Sequence, residues 1–259
     1  MSQCGTVFVG HSVVMVQFPS AKMEVLPGLR WGAIEAFPTP AYWAYQVIAR
    51  RIVGGPPKHR LGRTLAEEVV ACLLGGHGIP AQIGLAAFRS LRSTGLLGGT
   101  PTADALQRIL AQPMAVAGRT VHYRFASRKA TYVANALRVL EGADPPQRSG
   151  RELRDWLLRL DGVGYKTASW VARNWMDAND VAILDIHVLR AGSLGGFLNN
   201  NLTVERDYLQ LENAFLDFSD ALGVRASELD AVIWQEMALS PRTVRRLLSA
   251  RPECVGSPV

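Results

Sequence analysis

Lys166 and Asp185 combine residue types that could do covalent chemistry. Lys166 follows Gly162 and Gly164 and stands in the first turn of a helix that we predict to begin at Tyr165. A cation there opposes the helix dipole, which favours the neutral, nucleophilic amine. Asp185 precedes another helical pattern, so we expect it to be an N-cap that stays ionised. Such a carboxylate can stabilise the positive charge that develops on a sugar when its base departs.

Two predicted helices position these residues around a turn. Residues 151–160 place apolar side chains at 153, 156, 157 and 160, a spacing that predicts an amphipathic helix. The turn that follows brings backbone N–H groups close to the positive end of the second helix, where they can bind one phosphate. We therefore expect Gly162, Val163 and Gly164 to contact a DNA phosphate without reading sequence.

These motifs resemble those of a known family. Residues 162–168 (GVGYKTA) and 183–190 (ILDIHVLR) closely resemble the helix-hairpin-helix DNA glycosylases that carry both lysine and aspartate, and most of all the short, second-type 8-oxoguanine glycosylases. Residues 123–133 (YRFASRKATYV) resemble the basic helix of that subgroup, and residues 229–234 (LDAVIW) resemble its last helix. The resemblance covers roughly residues 63 to 240.

The resemblance implies a mainly α, two-lobed helix-hairpin-helix DNA glycosylase fold. We expect an N-terminal extension at 1–34, whose β-branched and aromatic residues are compatible with a small β-hairpin. The helical glycosylase domain would span 35–259, with one lobe at about 63–146 and the other formed by 35–62 plus 147–250. The base-binding cleft would lie between these lobes. Periodicity and capping residues predict helices at 41–53, 64–74, 81–93, 102–110, 204–222, 226–239 and 241–249.

The resemblance also implies a mechanism and a set of DNA contacts. Lys166 would attack the anomeric carbon of an extruded nucleotide, and a Schiff base would then allow β-elimination, with Asp185 supporting the cationic sugar. Arg124, Arg128 and Lys129 are expected to contact DNA phosphates, although a solvated helix face carries about half of the weight and structural pairing is a further alternative. This chemistry needs no cofactor.

Two further residues are candidates for the base pocket. His77 stands in the loop 75–80 where the family has an amide side chain that fills the gap in the duplex, and a role without base contact is equally open. Trp234 could stack on the extruded base, or it could be buried in the core of its helix.

Composition restricts the class of protein. The formal charge of +6 favours an anionic partner, here double-stranded DNA with a damaged or modified base. Hydrophobic content of 48% supports a globular core, and we expect a monomer in the cytoplasm, associated with the nucleoid, because no membrane segment or leader is visible. The three scattered cysteines exclude a four-cysteine iron-sulfur site, and the histidine spacing predicts no metal.

Three functions remain open from the sequence. The first is a glycosylase with AP lyase activity on 8-oxoguanine. The second is a glycosylase for another modified base, including a bulky modified pyrimidine of foreign phage DNA, in a defence role. It is suggested by His77 among glycines, by the added N-terminal segment and by the absence of the terminal lysine typical of the subgroup. The third is a non-catalytic helix-hairpin-helix DNA-binding module.

Overall fold

The structure, a computed structural model, describes residues 1–55, 59–76 and 78–250. It confirms the predicted mainly α fold. The described ranges contain eleven α-helices: α1 Pro40–Gly54, α2 Leu65–Leu74, α3 Ala81–Ser93, α4 Ala103–Leu110, α5 Ala126–Leu140, α6 Gly150–Leu157, α7 Tyr165–Met176, α8 Ile186–Gly195, α9 Val204–Ala221, α10 Ala226–Leu239 and α11 Pro241–Ser249. None of the helices in these ranges is both long enough and apolar enough to cross a membrane.

Six short strands form three antiparallel pairs in the same ranges. They are β1 Gln3–Val9 with β2 Ser12–Phe18, β3 Glu24–Leu26 with β4 Leu29–Arg30, and β5 Met114–Val116 with β6 Arg119–Val121. The β1–β2 pair confirms the hairpin expected in the N-terminal extension. Gly5 of β1 lies against the ring of Tyr45, which joins this hairpin to α1. The β5–β6 pair was not predicted from the sequence.

The chain divides into two compact units. The first comprises Met1–Lys58 and Asn179–Val259. Its core contains the fully buried Trp43 of α1 and the aromatic residues of α9, and the ring of Phe197 stacks on that of Phe218 at 3.9 Å between centroids. Helix α10 packs against α1 and α8, so the segment that begins α8 rests on a rigid apolar core.

The second unit comprises His59–Ala178. Helix α2 lies at its centre and packs against α3, α5 and α7, because both sides of its apolar run are buried. The sequence predicts that residues 147–178 belong to the other lobe, whereas this division groups them with α2. Two contacts place them there: Asn174 donates to Glu68 at 2.7 Å, and the Trp170 ring lies against Gly75.

Candidate active-site residues

The turn between α6 and α7 requires glycine at position 162. Gly162 has a φ of +75°, and a Cβ atom built there would lie 2.3 Å from a ring carbon of Tyr132. Next to it, Asn135 donates its side-chain amide to Asp161 Oδ2 at 2.8 Å. Tyr132 and Asn135 both belong to α5. Helix α5 therefore supports the hairpin through these two side chains, a role that was not predicted from the sequence.

The start of α7 is open to an anion. Gly164 is its N-cap in extended backbone, no side chain caps the helix, and a Cβ at Gly164 would meet no atom within 4 Å. Lys166 lies in this first turn with a partly buried side chain. An uncapped helix start offers N–H groups and a positive dipole end to a phosphate.

Val163 differs from the two glycines, and its predicted phosphate contact is not supported. Its side chain is 8% exposed, and its N–H donates to the carbonyl of Leu160 at 3.1 Å within the turn. A backbone donor that closes a turn is already satisfied. We therefore assign Val163 to the structure of the hairpin itself.

Trp170 places the loop after α2 beside the first turn of α7. The residue follows Lys166 by four positions, so both side chains share one face of the helix. Helical side chains lean towards the N-terminus, and the Trp170 ring reaches Gly75: a Cβ there would be 2.9 Å from two ring carbons. Loop residues Gly75 and Gly76 therefore lie close to the helix surface that carries Lys166.

Asp185 is confirmed as an N-cap. Its Oδ1 accepts hydrogen bonds from the N–H groups of His187 and Val188, both at 2.9 Å. The preceding segment is fixed by side chains of α9, because Glu212 accepts from the N–H of Ala182 at 3.0 Å and Tyr208 donates to the Ala182 carbonyl at 2.8 Å. The carboxylate is thus held in one orientation, and its catalytic role stays a prediction.

Trp234 is not a core residue. It is 45% exposed, and its ring meets that of His187 edge to face at 6.1 Å between centroids. This exposure excludes the buried alternative. It leaves a free aromatic surface next to His187, whose N–H donates to Asp185. His77 lies outside the described residues.

The three predicted phosphate contacts of the α5 region separate into two kinds. Arg124 and Arg128 are exposed, as a phosphate contact requires. Lys129 is half-buried, and its ammonium donates to the carbonyls of Leu73 and, at 3.5 Å, Gly75. Burial lowers the pKa of Lys129, and the neighbouring Arg128 lowers it further. The predicted phosphate contact of Lys129 is therefore not supported, because its donors point into the protein.

Glu68 is a buried carboxylate that was not predicted from the sequence. It is 0% exposed, and its Oε2 accepts from the N–H groups of Leu61 and Gly62, each at 2.7 Å, while Oε1 accepts from Asn174. A glutamate flanked by the apolar run of α2 is a signal for such a site, since an acid is buried only when it is hydrogen-bonded. Glu68 joins the start of α2 to the end of α7.

A family model described as 8-oxoguanine DNA glycosylase (Ogg-HhH) matches residues 58–224. The 8-oxoguanine DNA glycosylase/AP lyase of Methanocaldococcus jannaschii is 32% identical over 121 residues, which are 45% of this chain and 58% of that protein. The enzyme of the same name from Metallosphaera sedula is 28% identical over 197 residues, which are 72% of this chain and 90% of that protein. The match thus spans less than two thirds of the first relative and most of the second.

Solved structures show the same fold. The M. jannaschii 8-oxoguanine glycosylase/lyase in complex with 15mer DNA containing 8-oxoguanine has a TM-score of 0.58 at 22% identity, covering 77% of this chain and 98% of that chain. The 8-oxoguanine DNA glycosylase of Thermotoga maritima has a TM-score of 0.51 at 22% identity, covering 76% of this chain and 88% of that chain.

Proposed function

Because the chain belongs to the helix-hairpin-helix 8-oxoguanine DNA glycosylase family, we propose that it is a base-excision glycosylase with AP lyase activity that removes 8-oxoguanine from double-stranded DNA and works as a monomer. The observation that carries the proposal is the place of Lys166 in the first turn of α7, directly after an uncapped helix start. Backbone N–H groups are sufficient to hold a phosphate, so a hairpin that only binds DNA does not need an amine there.

In the proposed reaction the damaged nucleotide first leaves the base stack, because its anomeric carbon is inaccessible inside a duplex. The neutral amine of Lys166 attacks that carbon, the bond to the base breaks, and the base leaves with the electron pair and takes up a proton. Opening of the sugar ring gives a Schiff base between Lys166 and the sugar. Loss of a proton from the adjacent carbon then eliminates the 3′ phosphate and cuts the strand.

Asp185 stabilises the cationic sugar in this reaction. Its Oδ1 holds the start of α8, whereas Oδ2 accepts no hydrogen bond from the described part of the chain. Asparagine caps a helix about as well as aspartate but carries no charge. Asp185→Asn should therefore leave the melting temperature nearly unchanged and slow base release by about 100-fold. Base release at the wild-type rate would reduce Asp185 to a cap.

Borohydride trapping tests the nucleophile. Reduction during the reaction should give a covalent protein–DNA adduct in the wild type, and Lys166→Gln should abolish it. The chain has only the lysines Lys22, Lys58, Lys129 and Lys166, so peptide mapping can assign the attached amine without ambiguity. Lys22→Gln is the matched control, because Lys22 is exposed in the N-terminal region. An adduct that persists in Lys166→Gln would show that another amine attacks.

Duplexes with single lesions test the substrate. We expect release of 8-oxoguanine opposite cytosine in single-turnover reactions, followed by strand cleavage. Release of a bulky modified pyrimidine in its place would move the assignment to foreign DNA. Binding without base release or adduct on the whole panel would leave only a DNA-binding hairpin.

A further inference from the structure

Lys129 differs from Arg124 and Arg128 in the direction in which its charged group points. Helix α2 ends at Leu74, and the last carbonyls of a helix lack partners within it. Lys129 donates to the carbonyls of Leu73 and Gly75, and Tyr123 donates its hydroxyl to the carbonyl of Leu74 at 2.6 Å. Three successive carbonyls at the end of α2 are thus held by side chains from or just before α5.

These contacts fix the loop that follows α2. Gly75 is in extended backbone, and Gly76 has a φ of +103°, a conformation that most other residues avoid. A short glycine-rich segment has little rigidity of its own. A cation at the negative end of a helix gains energy from the helix dipole as well as from its hydrogen bonds. The ammonium of Lys129 supplies the order that the glycines lack.

The loop held in this way lies next to the proposed nucleophile. Gly75 rests against the Trp170 ring, which covers the turn of α7 that begins with Lys166. The loop at Gly75 and Gly76 therefore borders the face of α7 that carries Lys166, where the proposed mechanism places the extruded nucleotide. A displaced loop would misplace the nucleotide, and small misplacements of a reacting group cost large factors in rate.

We propose that Lys129 is a positioning residue, which holds the loop after α2 against α7 beside Lys166 instead of binding a DNA phosphate. This inference rests on the proposed glycosylase function and adds the element that orients the nucleotide. It divides the basic α5 segment into exposed arginines that bind DNA and a lysine that binds the protein's own backbone.

The test compares Lys129→Met, Lys129→Arg and Arg128→Ala with the wild type. Met keeps the apolar stem of lysine and removes the charge, whereas Arg keeps donors that can reach the carbonyls. The first readout is single-turnover release of 8-oxoguanine opposite cytosine. The second is cleavage of a duplex with a preformed abasic site, which has no base to extrude. The third is the dependence of DNA affinity on salt concentration, measured by fluorescence anisotropy.

We expect Lys129→Met to slow base release by about 10- to 100-fold and to slow cleavage at the abasic site by a smaller factor, because that site presents the same sugar to Lys166 but has no base to orient. Lys129→Arg should restore part of the lost rate. The slope of log affinity against log salt should stay unchanged in Lys129→Met and fall by about 0.9 in Arg128→Ala, since each phosphate contact contributes that amount. A merely structural role would lower both activities together with the melting temperature.

Several results would overturn the inference. They are a wild-type rate of base release in Lys129→Met, a parallel loss of both activities with the melting temperature, and a reduced salt slope, which would make Lys129 a phosphate contact. A wild-type protein that neither releases a base nor cleaves the abasic duplex would instead refute the proposed function, and the inference with it. The activity of the wild type thus separates the two failures.

Discussion

The two glycines of the hairpin should differ strongly in their response to substitution. Gly162 has a φ of +75°, and a Cβ there would be 2.3 Å from the Tyr132 ring, whereas Gly164 has an ordinary φ of −99° and free space around it. Alanine at position 162 should lose about 1–2 kcal/mol from the left-handed backbone conformation. Displacement of the ring should cost a further 1–3 kcal/mol or so.

Gly162→Ala should therefore lower the free energy of unfolding by about 2–5 kcal/mol. Gly164→Ala should change it by less than about 1 kcal/mol, because alanine restricts the unfolded chain but is a poorer N-cap residue than glycine. Urea denaturation followed by circular dichroism measures both. The pair is a matched control, since each variant adds one methyl group to the same turn.

A double-mutant cycle separates the two contributions at Gly162. Tyr132→Ala removes the ring that the new methyl group would meet. The double variant should therefore lose about 1–3 kcal/mol less free energy of unfolding than the two single variants lose in sum. The residual cost should match the backbone contribution alone. Equal losses in Gly162→Ala and Gly164→Ala, or no coupling to Tyr132, would refute this explanation of the turn.

Two further predictions concern buried polar groups. Glu68→Ala should lower the free energy of unfolding by about 3 kcal/mol or more, because the N–H groups of Leu61 and Gly62 lose their acceptor. Glu68→Gln should lower the free energy of unfolding by less, since its amide oxygen can still accept from the two N–H groups. Asn174 Oδ1, which is buried without a partner among the described residues, can accept from the new amide. Equal losses for the two variants in denaturant titrations would argue against this explanation. Burial raises the pKa of Tyr123 above its usual 10.0, so its contribution to stability is complete below pH 10 and falls as the unfolded phenol ionises at higher pH. Above pH 10, the free energy of unfolding of the wild type should fall by up to about 1.4 kcal/mol per pH unit more than that of Tyr123→Phe. Parallel curves of stability against pH for the two proteins would contradict the burial argument.

Much of the helical fold was predictable because its signals are local. The predicted helices at 81–93, 226–239 and 241–249 match α3, α10 and α11, and the cap at Asp185 was evident from one carboxylate before an apolar periodic segment. The β5–β6 hairpin was not predictable in the same way. Its turn has a positive φ at Ala117 as well as Gly118, and alanine rarely adopts that conformation.

The support of the candidate site could not be predicted, because it depends on contacts distant in sequence. Basic residue types suggested a phosphate contact for Lys129, but only the structure shows that its ammonium points to the end of α2. The packing of Trp170 on Gly75 and of Tyr132 on Gly162 likewise joins elements separated by many residues. The spacing of residues in the sequence predicts which side chains share a face of a helix. It does not predict which residues of other elements those side chains contact.

Helix α5 carries two residues that support the candidate site, Lys129 and Asn135. Lys129 reaches the end of α2, and Asn135 reaches the hairpin at Asp161, six residues further on, which corresponds to about 9 Å of helix rise. The interval between the two anchor points is therefore set by backbone hydrogen bonds and does not depend on loop length. A tilt of α5 would therefore move both contact points together and would change the distance between the loop and the hairpin only slightly.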